Sequence, residues 1–157
     1  GVIFIPVSKE RFYADENGAF KEILDNNDEI IKRVDLNKKD KNLDNLIFSS
    51  RRGDAKEIEF IGQSLNFDQR CIGSAIKFCR LVEFGGAYLR FAPSYLWDNA
   101  AGEALVNFCG GKVFDANSSK EMSYELADLK SPFFIALSKN TLKLKDKITQ
   151  LYKQSKT

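Results

Sequence analysis

The stretch 97–115, WDNAAGEALVNFCGGKVFD, reads as a helix handed on to a strand. Asp98 stands at the mouth of a helix predicted to start near Asn99 and run to Cys109, with Ala101, Ala104, Leu105 and Phe108 recurring at helical spacing as its apolar face. Gly110-Gly111 stops it, since glycine accepts the left-handed backbone on which helices end. KVFD at 112–115 is short and β-forming. The order carboxylate, helix, glycine stop, strand is one unit of an α/β chain.

The same order recurs on either side. Upstream, 67–72 predicts a strand, Gly73-Ser74 a tight turn, and 75–84 a helix with Ile76, Cys79 and Val82 spaced three apart, ended by Gly85-Gly86. Before it, 45–50 reads as a strand, and Asp54 to Glu57 as a capping-box-like helix start that turns Ile58 and Ile61 inward. Strands are predicted at 87–91 and 133–137, and an amphipathic, lysine-rich helix at 141–154. At the front, GVIFIPV is a strand, Lys9 and Glu10 a turn, RFYAD a returning strand and ENG at 16–18 a turn signal, which makes a hairpin. Residues 21–45, charge-rich apart from Ile30 and Ile31, are predicted as a loop with a short helix and little function. Alternating strands and helices imply an α/β lobe. The chain opens inside a strand without an initiator Met, its one methionine being Met122, which leads us to expect preceding sequence.

Composition narrows the chemistry. With 157 residues, 43% hydrophobic and 29% charged, the chain is a globular domain rather than a disordered tail. Lys and Arg number 24 against 22 acidic residues, so a net charge of +2 gives no reason to expect a nucleic acid polymer as partner. Without a spanning apolar run or a signal peptide, the chain reads as cytoplasmic. Cys71, Cys79 and Cys109 form no CxxC pair and are expected as buried, reduced thiols. Histidine is absent, which removes His-based acid–base catalysis and His-ligated zinc and leaves carboxylates, hydroxyls, lysine or a hard metal.

Two segments could carry that chemistry. Gly73-Ser74 entering a helix leaves backbone N–H groups unpaired at the positive end of the helix dipole, where an anion such as phosphate docks; the Ser74 hydroxyl and Lys77 one turn on add a donor and a charge. The same residues also read as an ordinary Ser N-cap with a solvated lysine. Asp98 reads either as an N-cap or as one oxygen ligand to Mg²⁺, which takes carboxylates, waters and phosphate oxygens. Ala100, Ala101 and Gly102 beside it would permit close approach, to a ligand or to another helix.

These segments resemble the inositol monophosphatase superfamily, and within it the 3'(2'),5'-bisphosphate nucleotidases. WDNAAGEALVNFCGGKVFD is similar to the family's second signature, W-D-x-A-A-G followed by helix, Gly-Gly and strand. GSAIKFC at 73–79 and YLRFAPSYLWD from Tyr88 resemble segments of the bacterial nucleotidase branch, as do KEMSYELADLKSPFFIA from Lys120 and the opening GVIFIPV and NGAF. Lys130-Ser131-Pro132 departs slightly from the pattern, and 21–42 matches nothing specific.

The resemblance implies a layered α/β/α/β/α sugar-phosphatase fold, of which residues 1–157 supply the C-terminal α/β sandwich with a mostly parallel sheet. It implies a Mg²⁺-dependent phosphatase that removes the 3'-phosphate of 3'-phosphoadenosine 5'-phosphate, with Asp98 as a metal ligand, Gly73, Ser74 and Lys77 contacting phosphate or nucleotide, and Arg90 as a weaker substrate contact. The family's first metal signature, D-P-x-D-G-T, is absent from this chain. The expected partner is therefore the N-terminal half of the same enzyme, and the chain alone is expected to be inactive and to expose apolar surface. The resemblance also admits homodimers and peripheral association with the inner face of the cell membrane. The rival readings are an inositol- or histidinol-phosphate phosphatase and a non-catalytic nucleotide- or protein-binding α/β module.

Overall fold

A computed structural model describes residues 1–38, 44–50, 55–125 and 128–156. Strands β1 (Val2–Ile5), β2 (Glu10–Asp15), β3 (Gly18–Leu24) and β4 (Ile30–Asp35) form an antiparallel sheet in that order. The β2–β3 turn is set by the Asp15 carboxylate, which accepts the Asn17 amide at 2.8 Å, and by Gly18 at φ 130°. Asp25 likewise accepts the amides of Asn27 and Glu29 and turns the chain into β4.

Strands β5 (Leu46–Ser49), β6 (Asp68–Cys71), β7 (Ala87–Arg90), β9 (Lys112–Asp115) and β11 (Phe134–Leu137) make a second sheet, ordered β6-β5-β7-β11-β9. Strand β5 runs parallel to β6 and β7, whereas β11 is antiparallel to both of its neighbours, so one strand is reversed in an otherwise co-directional sheet. Two short strands, β8 (Ser94–Tyr95) and β10 (Lys130–Ser131), pair at the entrance to a helix. The helices are α1 (Ala55–Leu65), α2 (Ile76–Phe84), α3 (Leu96–Phe108) and α4 (Lys145–Gln154), the last preceded by a 3₁₀ helix, Lys139–Leu144.

Four layers result. Helices α2 and α3 lie between the sheets, in a core that includes Phe12, Phe78, Leu105, Tyr88 and Phe134. Helices α1 and α4 cover the far face of the second sheet through Ile58, Ile61, Ile148 and Tyr152 against Ile47, Leu89 and Ile135. The tight point is Gly102 on α3, where a Cβ would fall 2.1 Å from the Phe78 ring of α2. Gly102 thus serves helix packing, whereas Ala100 is exposed.

Several expectations need correction. The described part of 21–45, residues 21–38 and 44–45, holds the end of β3 and all of β4 and no helix. Their strand pattern is hidden because Lys21, which faces inward, is charged, and Glu22 on the outer face is itself only 3% exposed. Helix α3 begins at Leu96, and its Phe108 is exposed. Cys79 and Cys109 are buried, with burial pushing the Cys79 thiol up to about 12, but Cys71 is exposed on β6. The anticipated capping residue Asp54 falls outside the described residues.

Candidate functional site

The α3 entrance is fixed from both sides. Tyr95, extended at φ −121° and ψ 160°, is the residue before the helix, and its amide donates to Asp98 Oδ2 at 3.1 Å. The Leu96 amide donates to Leu129 O at 2.9 Å, and Tyr95 pairs with Lys130 across β8–β10. Asp98 therefore sits in the first turn, not before it. Capping occupies one of its roughly four lone-pair positions, so the capping role and a ligating role are compatible.

Across from α3, the loop between β6 and α2 is held by Lys77. Its ammonium donates to Ile72 O at 3.1 Å and Ser74 O at 2.8 Å and lies 5.0 Å from the Tyr88 ring centroid, with 2% of the residue exposed. It is not a solvated lysine. Nor is Ser74 an N-cap: its φ is 54°, and Ala75 occupies the cap position without a side-chain bond. A buried ammonium turned back on two carbonyls both shapes the loop and places positive charge behind it.

A cavity of about 380 Å³ opens between these elements, lined by Ser50, Ser74, Ala75, Lys77, Tyr88, Arg90, Ser94, Trp97, Asp98 and Asn99. It unites Ser74, Lys77, Arg90 and Asp98; Gly73, exposed on the same loop, is not in its wall. Arg90 spends part of its guanidinium on Ser50 Oγ (2.5 Å) and Pro93 O (2.8 Å). Buried Asn99 donates to Ser94 Oγ at 3.1 Å and Tyr95 O at 3.2 Å. Sequence reasoning assigned no role to Ser50, Ser94, Trp97 or Asn99. Only Trp97 carried a visible signal, as a tryptophan next to the helix-mouth carboxylate.

Helix α2 is anchored to the first sheet by a buried cluster. Lys21 bridges Glu10 and Glu83 (2.7 Å to the latter), and Arg80 bridges the same two carboxylates at 2.6 Å each. Burial alone would raise the Glu10 carboxyl, but Arg80, Lys21 and Ser8 reverse this and hold it at about 2. Burial works against the Lys21 ammonium too, and its two carboxylate partners outweigh it and raise its pKa.

Among the described residues, no three or more His, Cys, Asp or Glu side chains are grouped to hold a metal. Asp98 is a suitable hard oxygen donor, but one carboxylate does not make a Mg²⁺ site. The donors among the described residues alone do not fit that ion. No helix of the described residues is long and apolar enough to cross a membrane.

Layered sheets and helices around a cavity lined by one carboxylate, Asp98, and two basic side chains, Lys77 and Arg90, define an α/β scaffold. The chain belongs to the inositol monophosphatase family, whose model matches residues 1–155. It is 34% identical over 117 residues to the 3'(2'),5'-bisphosphate nucleotidase CysQ of Salmonella typhimurium, and 33% identical to that of Escherichia coli K12. Each match covers 73% of this chain but 45% of the relative, so the chain spans less than half their length. The crystal structure of CysQ from Bacteroides thetaiotaomicron superposes with a TM-score of 0.72 at 28% identity, covering 88% of this chain and 57% of that one. An IMPase of Thermotoga maritima, 21% identical, shares the fold with a TM-score of 0.66, covering 99% of this chain and 56% of that one.

Proposed function

We propose that this chain carries the nucleotide- and phosphate-binding part of a 3'(2'),5'-bisphosphate nucleotidase that hydrolyses the 3'-phosphate of 3'-phosphoadenosine 5'-phosphate to AMP and phosphate. The observation that carries the proposal is the cavity that Asp98 lines together with Ser74, Lys77 and Arg90. The likeness to curated nucleotidases supports the choice of substrate over inositol or histidinol phosphate.

Within the site, the opening turn of α2 offers backbone N–H donors, and the Ser74 hydroxyl supplements them. Lys77 and Arg90 lower the cost of bringing a multiply charged anion into the cavity. We assign Asp98 as one ligand of a Mg²⁺ site whose remaining carboxylates belong to a portion of the enzyme outside this chain. That portion would lie on the outer face of the first sheet, where Val2 and Phe4 are 61% and 43% exposed. No hydrolytic step is assigned to the present residues alone.

The test is a phosphate-release assay with 3'-phosphoadenosine 5'-phosphate and Mg²⁺, on the chain alone and on the intact enzyme, with inositol 1-phosphate and histidinol phosphate as rival substrates. The chain is expected to show no turnover and the intact enzyme to prefer the nucleotide. Robust turnover by the chain would overturn its incompleteness, and preference for inositol phosphate would overturn the substrate.

A further inference from the structure

Glutamate is rarely buried without a partner, and Glu103 on α3 is only 7% exposed. It follows Asn99 by four residues, which puts both on one side of the helix, with Asn107 a further turn along. The Glu103 carboxylate accepts the Tyr124 hydroxyl, and Asn107 also bonds to it. Tyr124 follows a segment fastened to the second sheet: the Met122 amide donates to Val113 O and the Asp115 amide to Lys120 O, both at 2.9 Å, and Glu121 bridges Phe114. At the mouth of the helix, Asn99 donates to Ser94 of β8, which pairs with β10. This side of α3 is therefore tied to β8–β10 at its start and, through Tyr124, to the edge strand β9 at its middle.

We propose that Glu103 and Tyr124 are a positioning pair, whose bond locks α3 against the edge of the second sheet and so holds Asp98 and Asn99 at the cavity. The apolar packing of α3 between the sheets is non-directional, so its polar bonds set how far it turns or slides. The lock depends on protonation, because an ionised carboxylate accepts a phenol about twice as strongly as a neutral carboxyl does. Burial is the largest influence on Glu103 and raises its pKa, the Tyr124 and Asn107 bonds lower it, and the charges that bear on it are Glu121, which raises it, and Lys112, which lowers it. Those two charges are themselves paired at 3.0 Å. The net direction is upward from 4.5, so the lock slackens on acidification while ordinary glutamates are still ionised. Its consequence for turnover rests on Asp98 being a metal ligand, whereas the lock itself does not.

Carbon-detected NMR of the Glu103 carboxyl in the chain should give a midpoint above 4.5, and Tyr124→Phe should move it further up, because the bond that favours the charge is gone. Trp97, the sole tryptophan, stands in the first turn of the same helix. Its emission should titrate with the Glu103 midpoint, follow that midpoint in Tyr124→Phe and stay flat there in Glu103→Gln. In the intact enzyme, Tyr124→Phe should lower kcat for 3'-phosphoadenosine 5'-phosphate about tenfold with KM nearly unchanged, and raised Mg²⁺ should restore part of the loss. A Glu103 midpoint at or below 4.5, or one that Tyr124→Phe leaves in place, removes the lock. Trp97 emission that stays flat through the Glu103 midpoint, or an unaltered kcat in Tyr124→Phe, shows that the pair does not position α3. If Asp98→Asn keeps full Mg²⁺-dependent turnover, the ligand assignment is what fails, and the NMR and emission titrations still decide the lock.

Discussion

Asp98 serves the fold through the Tyr95 amide, and that service can be separated from its charge. Asparagine keeps an oxygen to accept the bond, so Asp98→Asn should leave stability nearly unchanged, whereas Asp98→Ala should cost about 1 kcal/mol, the usual loss for a helix cap. Without metal, the carboxylate repels a phosphorylated ligand in the same cavity. Asp98→Asn should therefore tighten adenosine 3',5'-bisphosphate binding several-fold, about 1 kcal/mol at the short range involved, as calorimetry in chelator would measure. Weaker binding would mean that the carboxylate contacts the ligand favourably. At Gly102, Gly102→Ala drives a methyl into the Phe78 ring of the neighbouring helix and should lower stability by about 1–3 kcal/mol in urea unfolding. A smaller loss would show that α2 and α3 can separate freely.

Between elements, the cluster of Glu10, Lys21, Arg80 and Glu83 ties the first sheet to the helix that frames the phosphate wall. Glu10 ordinarily titrates near 4.5 and is held at about 2 when folded. Its contribution is whole above about pH 4.5, where the unfolded chain is also ionised, and drains away as pH falls toward 2, because the unfolded chain then takes up the proton first. Urea midpoints should drop across that window, and Glu10→Gln should flatten the drop while costing about 3 kcal/mol at neutral pH, since it removes a counter-charge from Arg80 and Lys21. An equally steep acid profile in the variant would assign it to other carboxyls. On α4, the Tyr152 hydroxyl is buried without a hydrogen-bond partner among the described residues, its ring stacked 4.1 Å from Phe91. Removing an unsatisfied buried hydroxyl costs nothing or helps, so Tyr152→Phe should leave the melting temperature equal or higher.

In the whole molecule, one face of the first sheet is packed on helices and the other is not. The strand register sets Val2, Tyr13, Phe20 and Asp35 in one outer row and Phe4, Arg11, Glu22 and Arg33 in the next. Arg33 covers part of it, its guanidinium 4.2 Å from the Phe20 centroid and 5.5 Å from that of Tyr13. Val2 and Phe4 stay exposed there, and Ile30 and Ile31 on β4 are 51% and 65% exposed. Apolar surface of this kind drives association. Sedimentation velocity of the isolated chain should show concentration-dependent self-association that Phe4→Lys with Ile31→Lys suppresses. A chain that stays monomeric at high concentration would remove the case for a partner on this face.

What the sequence determined by itself was the set of locally coded features. The helices at 75–84 and 99–109, their glycine stops, the strands at 87–91 and 112–115 and the family signature around Asp98 depend on spacing and turn chemistry within a few residues. The tertiary structure alone decided what charge means in context. Lys21 looked like loop because its partners, Glu10, Arg80 and Glu83, lie on another strand and a helix, and only their meeting makes a charged residue fit to point inward from a strand. Lys77 looked solvated because the carbonyls that hold it are backbone atoms, which no side-chain pattern displays. The cavity, too, belongs to the fold: Ser50, Arg90, Trp97 and Asn99 line it together because the end of β5, β7 and α3 converge there, and long-range convergence leaves no periodic trace in a sequence.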